Sequence, residues 1–158
     1  MDLQLKDKII IVSGGAKGIG RGIVNSLAGE GVIPYIIGRN EKDNLEAVAE
    51  VIGAGGRAFQ TVAELSEPAE CEKAVSTVLQ QMGRIDGLVN NAGVNDGVGL
   101  ESGNYEAFMA SLHKNVVHYY LLAHHCLPAL KKSKGAIVNI SSKTAETGQG
   151  GTSAYAAA

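Results

Sequence analysis

Five short apolar runs alternate with amphipathic stretches along this chain, and that alternation constrains the fold more than any other feature. Lys8–Ser13 (KIIIVS), Val32–Ile37, Ala58–Val62, Gly87–Asn90 (GLVN) and Ala136–Ile140 (AIVNI) read as strands. Runs that are apolar throughout, rather than at every second residue, belong to strands buried on both faces. Pro34 inside the second run is awkward for a central strand, because it offers no N–H to a neighbour. The stretches between are helical. Gly18–Ala28 carries Ile19, Ile23 and Leu27 at helical spacing, and Glu41–Ile52 carries Leu45, Val48, Ala49 and Ile52 on one face. Pro68–Met82 has proline in its first turn, with Ala74, Val75, Val78 and Leu79 directed inward. Tyr105–Lys131 reads as one long helix that Pro128 should end or kink. Strand–helix alternation implies βαβ units and a parallel sheet, and right-handed crossovers place helices on both faces. The expected fold is α/β: a doubly wound parallel sheet, strand order 3-2-1-4-5, with its ligand crevice at the carboxyl ends of strands one and four.

A chain of 158 residues is one domain's worth, so residues 1–158 are read as a single domain. Fourteen Lys and Arg against sixteen Asp and Glu give a formal net charge of −2, which offers no electrostatic handle for nucleic acid or an anionic membrane. No apolar run approaches the roughly 18 residues of a membrane span, and MDLQLKDK lacks a signal region. The expectation is a cytoplasmic protein. Cys71 and Cys126 are far apart and show no C-x-x-C spacing, so buried free thiols are expected. His113, His118, His124 and His125 share the long helix without an i,i+4 pair. No metal site is therefore expected, and the histidines read as solvated or partly packed.

Glycine is in excess, at 21 residues, and its most informative cluster joins the first strand to the first helix. Ser13-Gly14-Gly15-Ala16-Lys17-Gly18-Ile19-Gly20 does not make a Walker A loop, since Arg21 and Gly22 follow Gly20 in place of Lys and Ser or Thr. It does not make G-x-G-x-x-G either, since Ile23 stands where the third glycine belongs. It is a longer glycine turn in the right place. Gly14 allows the tight turn, Gly18 lets backbone approach a pyrophosphate, and Gly20 lets the helix pack on the strand. The helix N-terminus, with Ile19 in its first turn, then directs free N–H groups at the phosphates. Lys17 lies in this turn and Arg39 follows the second strand, with no acidic residue until Glu41. An acid at that place binds a ribose 2′-hydroxyl, whereas Arg accommodates a 2′-phosphate, so NADP is expected rather than NAD.

Four features now stand together: the Gly14/Gly18/Gly20 turn, Asn90-Asn91-Ala92-Gly93 after the fourth strand, Asn115 in the long helix, and Ser142 with Tyr155 thirteen residues on. In this order and spacing the chain resembles the short-chain dehydrogenase/reductase family over its whole length. The resemblance implies hydride transfer between NAD(P) and an alcohol or carbonyl. It makes Tyr155 the general acid/base, Ser142 the group that orients the substrate oxygen, and Asn115 the holder of a proton-relay water. Asn91, Ala92 and Gly93 would line the ribose and nicotinamide, and Glu64 with Leu65 the adenine. Glu64 departs from the family's usual Asp. Paired helices between subunits in the family imply a homodimer or homotetramer.

Asn90–Leu100 and Ser141–Tyr155 look like the sugar-oxidising L-fucose dehydrogenase branch. Asn95, Asp96, Glu146 and Gln149 would then face the hydroxyls of a sugar. The family places a lysine four residues after its tyrosine, whereas here Ala156, Ala157 and Ala158 follow Tyr155 and the sequence stops. The expectation is a C-terminally incomplete domain, inactive by itself, whose fifth strand is an exposed sheet edge.

Overall fold

Ile9 and Ile11 face one side of the first strand, and Val12 faces the other. Both sides are covered. The computed structural model describes residues 2–158. Its strands β1 (Ile9–Ser13), β2 (Ile33–Gly38), β3 (Phe59–Val62), β4 (Gly87–Asn90) and β5 (Ala136–Asn139) form one parallel sheet in the order β3-β2-β1-β4-β5. Register is set by Ile9 opposite Ile33, Ile10 opposite Gly87, Tyr35 opposite Phe59, and Gly87 opposite Ala136.

Helices α1 (Gly18–Gly29) and α2 (Glu41–Gly53) cover one face, where Val12, Val24, Ile36, Ala47 and Val51 pack together. On the other face lie α3 (Pro68–Met82), α4 (Tyr105–Leu112) and α5 (His118–Ser133). Cys71, Val75 and Val78 of α3 and Leu122, Cys126 and Leu130 of α5 meet Ile11, Tyr35 and Ile37 of the sheet. Both cysteines are free and buried, and burial pushes their thiols up to about 11 for Cys71 and about 12 for Cys126. Two short helices, α6 (Thr144–Thr147) and α7 (Ser153–Ala157), follow β5. No helix among the described residues is long and apolar enough to cross a membrane.

The expected sheet order is the observed one, and several element-level expectations need correction. The inward faces of α1 and α2 are each displaced by one residue. Gly20 and Val24 are buried in α1 while Ile19 is exposed, and Asn44, Ala47 and Val51 are buried in α2 while Leu45 and Ile52 are exposed. A glycine and an asparagine hold inward positions here, and hydrophobic periodicity cannot see either. Asn44 is at home because its Nδ2 donates to Gly38 O at 2.9 Å and Gln60 Oε1 at 3.2 Å. Pro34 sits in a central strand at no cost. The Ile33 amide donates to Lys8 of the β1 side, so by alternation the Pro34 nitrogen faces β3, whose pairing begins one residue later at Tyr35.

The long helix is not continuous, since a π-helical turn, His113–Val117, separates α4 from α5. Pro128 does not end α5, which runs on to Ser133. The carbonyl that loses its partner belongs to exposed His124, where water can satisfy it. His118 is buried rather than solvated or partly packed, with Nε2 bonded to Lys114 O at 2.9 Å. Strand β5 is exposed along its whole length, as an edge.

Candidate active site

The carboxyl ends of β1 and β4 are stitched together by side chains. Ser13 is fully buried, and its hydroxyl accepts the amides of Asn91 at 3.0 Å and Ala92 at 3.1 Å. Asn91 returns two bonds, from Nδ2 to the carbonyls of Ser13 at 3.0 Å and Gly14 at 3.2 Å. Gly14 turns the chain out of β1 with φ +64°, against the Cα of Ala92, where a side chain would lie 2.9 Å away. These contacts pull the glycine turn and the β4 loop to the two sides of one crevice.

That crevice is a cleft of about 990 Å3. Gly14, Lys17, Gly18, Ile19 and Gly20 line it from the first turn, Arg39 from the end of β2, and Glu64 and Leu65 from the segment after β3. Asn91, Ala92 and Gly93 line it from the β4 loop, with Asn115 from the π turn, Ser142 from beyond β5, and Tyr155 from α7. The four loop residues read as sugar contacts do not join them. Asn95 Oδ1 accepts its own loop's Gly97 amide at 3.3 Å, and Asp96 is held by the Ser111 hydroxyl at 2.8 Å and Lys114 Nζ at 3.4 Å. Glu146 and Gln149 are exposed outside the cleft lining.

The first turn of α1 has neither a side-chain cap nor an acidic residue, so its amides are free for an anion. Gly18 adopts φ +53°, and a Cβ there would meet no protein atom within 4 Å. It borders open cleft, as backbone approached by a ligand must. Gly20 is the reverse case, since its Cβ would overlap the Gly14 carbonyl. A nucleotide diphosphate fits this cradle: free amides at a helix start, a bare backbone beside them, and the cations Lys17 and Arg39 within the same wall.

At the other end the polar groups divide into committed and free ones. Asn115 is committed, as Oδ1 accepts the Val94 amide at 2.7 Å and Nδ2 donates to Ser111 O at 2.9 Å. Tyr119, which sequence reasoning missed, also lines the cleft, but its hydroxyl donates to Ile140 O at 3.1 Å. Burial, with Tyr155 nearby, pushes that phenol up to about 12. The Tyr155 hydroxyl has no hydrogen-bond partner among the described residues. Ser142 Oγ accepts the Thr144 amide at 3.2 Å, which leaves its proton free to donate. Glu64 is held below the usual carboxylate range: burial works to raise it, but the Ser66 amide and hydroxyl, Arg39 and His118 outweigh that. Asp43 and Asn44 line the cleft as well and went unread in the sequence, since neither belongs to a spaced motif, and so does His118, whose place in the sequence gave no sign of the cleft. No cluster of three metal-ligating side chains occurs among the described residues.

Comparison with known proteins gives the family and the fold. The family model described as short chain dehydrogenase matches residues 8–158. Cyclopentanol dehydrogenase of Comamonas sp. (strain NCIMB 9872) is 33% identical over 155 residues, covering 98% of this chain and 62% of the relative. The crystal structure of Cj0485 dehydrogenase superposes with a TM-score of 0.90 at 41% identity, covering 100% of this chain and 60% of that one. That of NADH-dependent reductase A1-R′ complexed with NAD does so with a TM-score of 0.93 at 27% identity, covering 99% and 69%. The chain spans about 62% of the length of the curated relative.

Proposed function

The chain belongs to the short chain dehydrogenase family, and from that premise we propose that it serves hydride transfer between NADP(H) and an alcohol or carbonyl substrate. One observation carries the reading: the glycine turn, Ser142 and Tyr155, distant in sequence, line a single cleft. The bound nicotinamide supplies the hydride chemistry. This chain's residues bind it and move the proton. Two tyrosines reach the cleft, and Tyr119 is tied to Ile140 O, so Tyr155 is the one free to exchange a proton with the substrate oxygen. Ser142, with its acceptor side occupied by Thr144, donates to the same oxygen and favours its charged form. Asn115 has both side-chain groups engaged, so we assign it to positioning the Gly93–Val94 segment.

NADP is proposed over NAD because Lys17 and Arg39 line the wall where a 2′-phosphate would lie. NAD is the alternative, and the structural relative above binds it. A kcat/KM favouring NAD by about tenfold, near 1.4 kcal/mol, would contradict the proposal. For the substrate, the resemblance to the L-fucose dehydrogenase branch points to a sugar. That reading rests on the resemblance, since Glu146 and Gln149 are exposed outside the cleft lining and Asn95 and Asp96 are engaged within their own loop or with α4 and the π turn.

The test compares two tyrosine variants in the whole protein against a panel of sugars, cyclic alcohols and ketones. Tyr155→Phe should lower kcat by about 100- to 10,000-fold with little change in NADPH affinity, while Tyr119→Phe should retain most of the rate. Equal losses in the two variants would refute the assignment.

A further inference from the structure

Four charges line the cleft, Lys17 before α1, Arg39 after β2, Asp43 in α2 and Glu64 after β3, and they cancel. Lys17 Nζ lies 2.7 Å from Asp43 Oδ2, and Arg39 Nη1 lies 4.0 Å from Glu64 Oε2. The two pairs differ in tightness. Glu64 is pinned through Oε1 by the Ser66 amide and hydroxyl, and its 4.0 Å contact to a largely exposed Arg39 is loose. Such a guanidinium swings away at little cost. Asp43 is different. It sits in the first turn of α2, behind the Asn40 side chain that accepts its amide, and its own side chain is only 19% exposed. Its carboxylate is in direct contact with the ammonium group.

An anion that binds Lys17 therefore has to share the ammonium group with a carboxylate already in contact with it. Like charges at that range repel in proportion to both charges, so a dianionic phosphate is penalised. A ribose hydroxyl carries no charge and meets no such penalty. Asp43 lies beyond the segment immediately after β2, where an acid would ordinarily be sought.

We infer that Asp43 weakens the 2′-phosphate preference that Lys17 and Arg39 give, engaging the Lys17 ammonium and so admitting the unphosphorylated dinucleotide beside the phosphorylated one. The inference rests on the dinucleotide reading of the cleft. It deepens that reading, because the preference expected from Lys17 and Arg39 alone is opposed by a carboxylate built into the same wall.

Calorimetric titration with ADP-ribose and with 2′-phospho-ADP-ribose tests it without any need for turnover. Asp43→Asn should tighten binding of the 2′-phosphorylated ligand about tenfold while changing ADP-ribose by less than about twofold. Asp43→Glu, which keeps the charge, should leave the ratio near wild type. An unchanged ratio in Asp43→Asn, with ADP-ribose still bound, overturns the inference alone. Wild-type protein that binds neither ligand overturns the dinucleotide reading and the inference with it.

Discussion

A methyl group at Gly20 has nowhere to go. It would overlap the Gly14 carbonyl and lie 2.5 Å from Asn91 Nδ2, so the helix and the turn would have to part. Gly20→Ala should cost about 1–3 kcal/mol, read as a lower urea midpoint, because the Gly14 carbonyl is backbone and cannot swing aside. Gly18→Ala should behave differently. Its φ of +53° makes alanine strained by about 1 kcal/mol, but no protein atom blocks the new methyl. The fold should survive while NADPH affinity falls at least about tenfold, since the methyl projects where the nucleotide lies. Wild-type affinity in Gly18→Ala would contradict this placement. The glycine turn was legible in the sequence because glycine spacing reports backbone approach directly. Asp43 and Tyr119 were not, because their importance arises from partners far away in the chain.

At the scale of elements, β1 and β4 are joined at both ends, by Ser13 at the carboxyl end and by Asp86 at the other. Asp86 is buried, its Oδ2 accepts the Ile9 amide at 2.9 Å, and Arg84 and Lys8 pair with Oδ1. Burial works to raise its pKa, but Arg84, the Ile9 amide and Lys8 together hold it below the usual aspartate value. A carboxyl with a depressed folded pKa contributes stability that is complete above the unfolded value, near 3.9, and is lost as pH falls through the folded one. Urea midpoints measured from pH 7 downward should therefore fall in acid, and fall less steeply in Asp86→Asn, which starts from a lower stability. Parallel slopes would remove Asp86 from the account. Element order was readable because each strand is a distinct apolar run. The π turn was not, since apolar spacing from Tyr105 onward runs through it without a break.

For the molecule as a whole, the two ends of the sheet are unlike. The carboxyl ends of the strands open into the large cleft. The amino ends carry a smaller one of about 390 Å3, lined by Lys6, Asp7, Gly29–Gly31 and Gly55–Arg57, where Arg57 pairs with Asp7. Strand β5 leaves Ile137 and Val138 exposed beside a β4 that is wholly buried, so the sheet presents an apolar edge next to the site. The central claim is that a dinucleotide binds at the carboxyl end, across the β1 and β4 turns. Amide hydrogen exchange with and without NADPH tests it most directly. The account predicts slowed exchange in residues 14–20, 39–44 and 91–94, with none around Lys6–Asp7 or Gly55–Arg57. Slowing that is absent from the glycine turn, or that centres on the amino-end cavity, would contradict it.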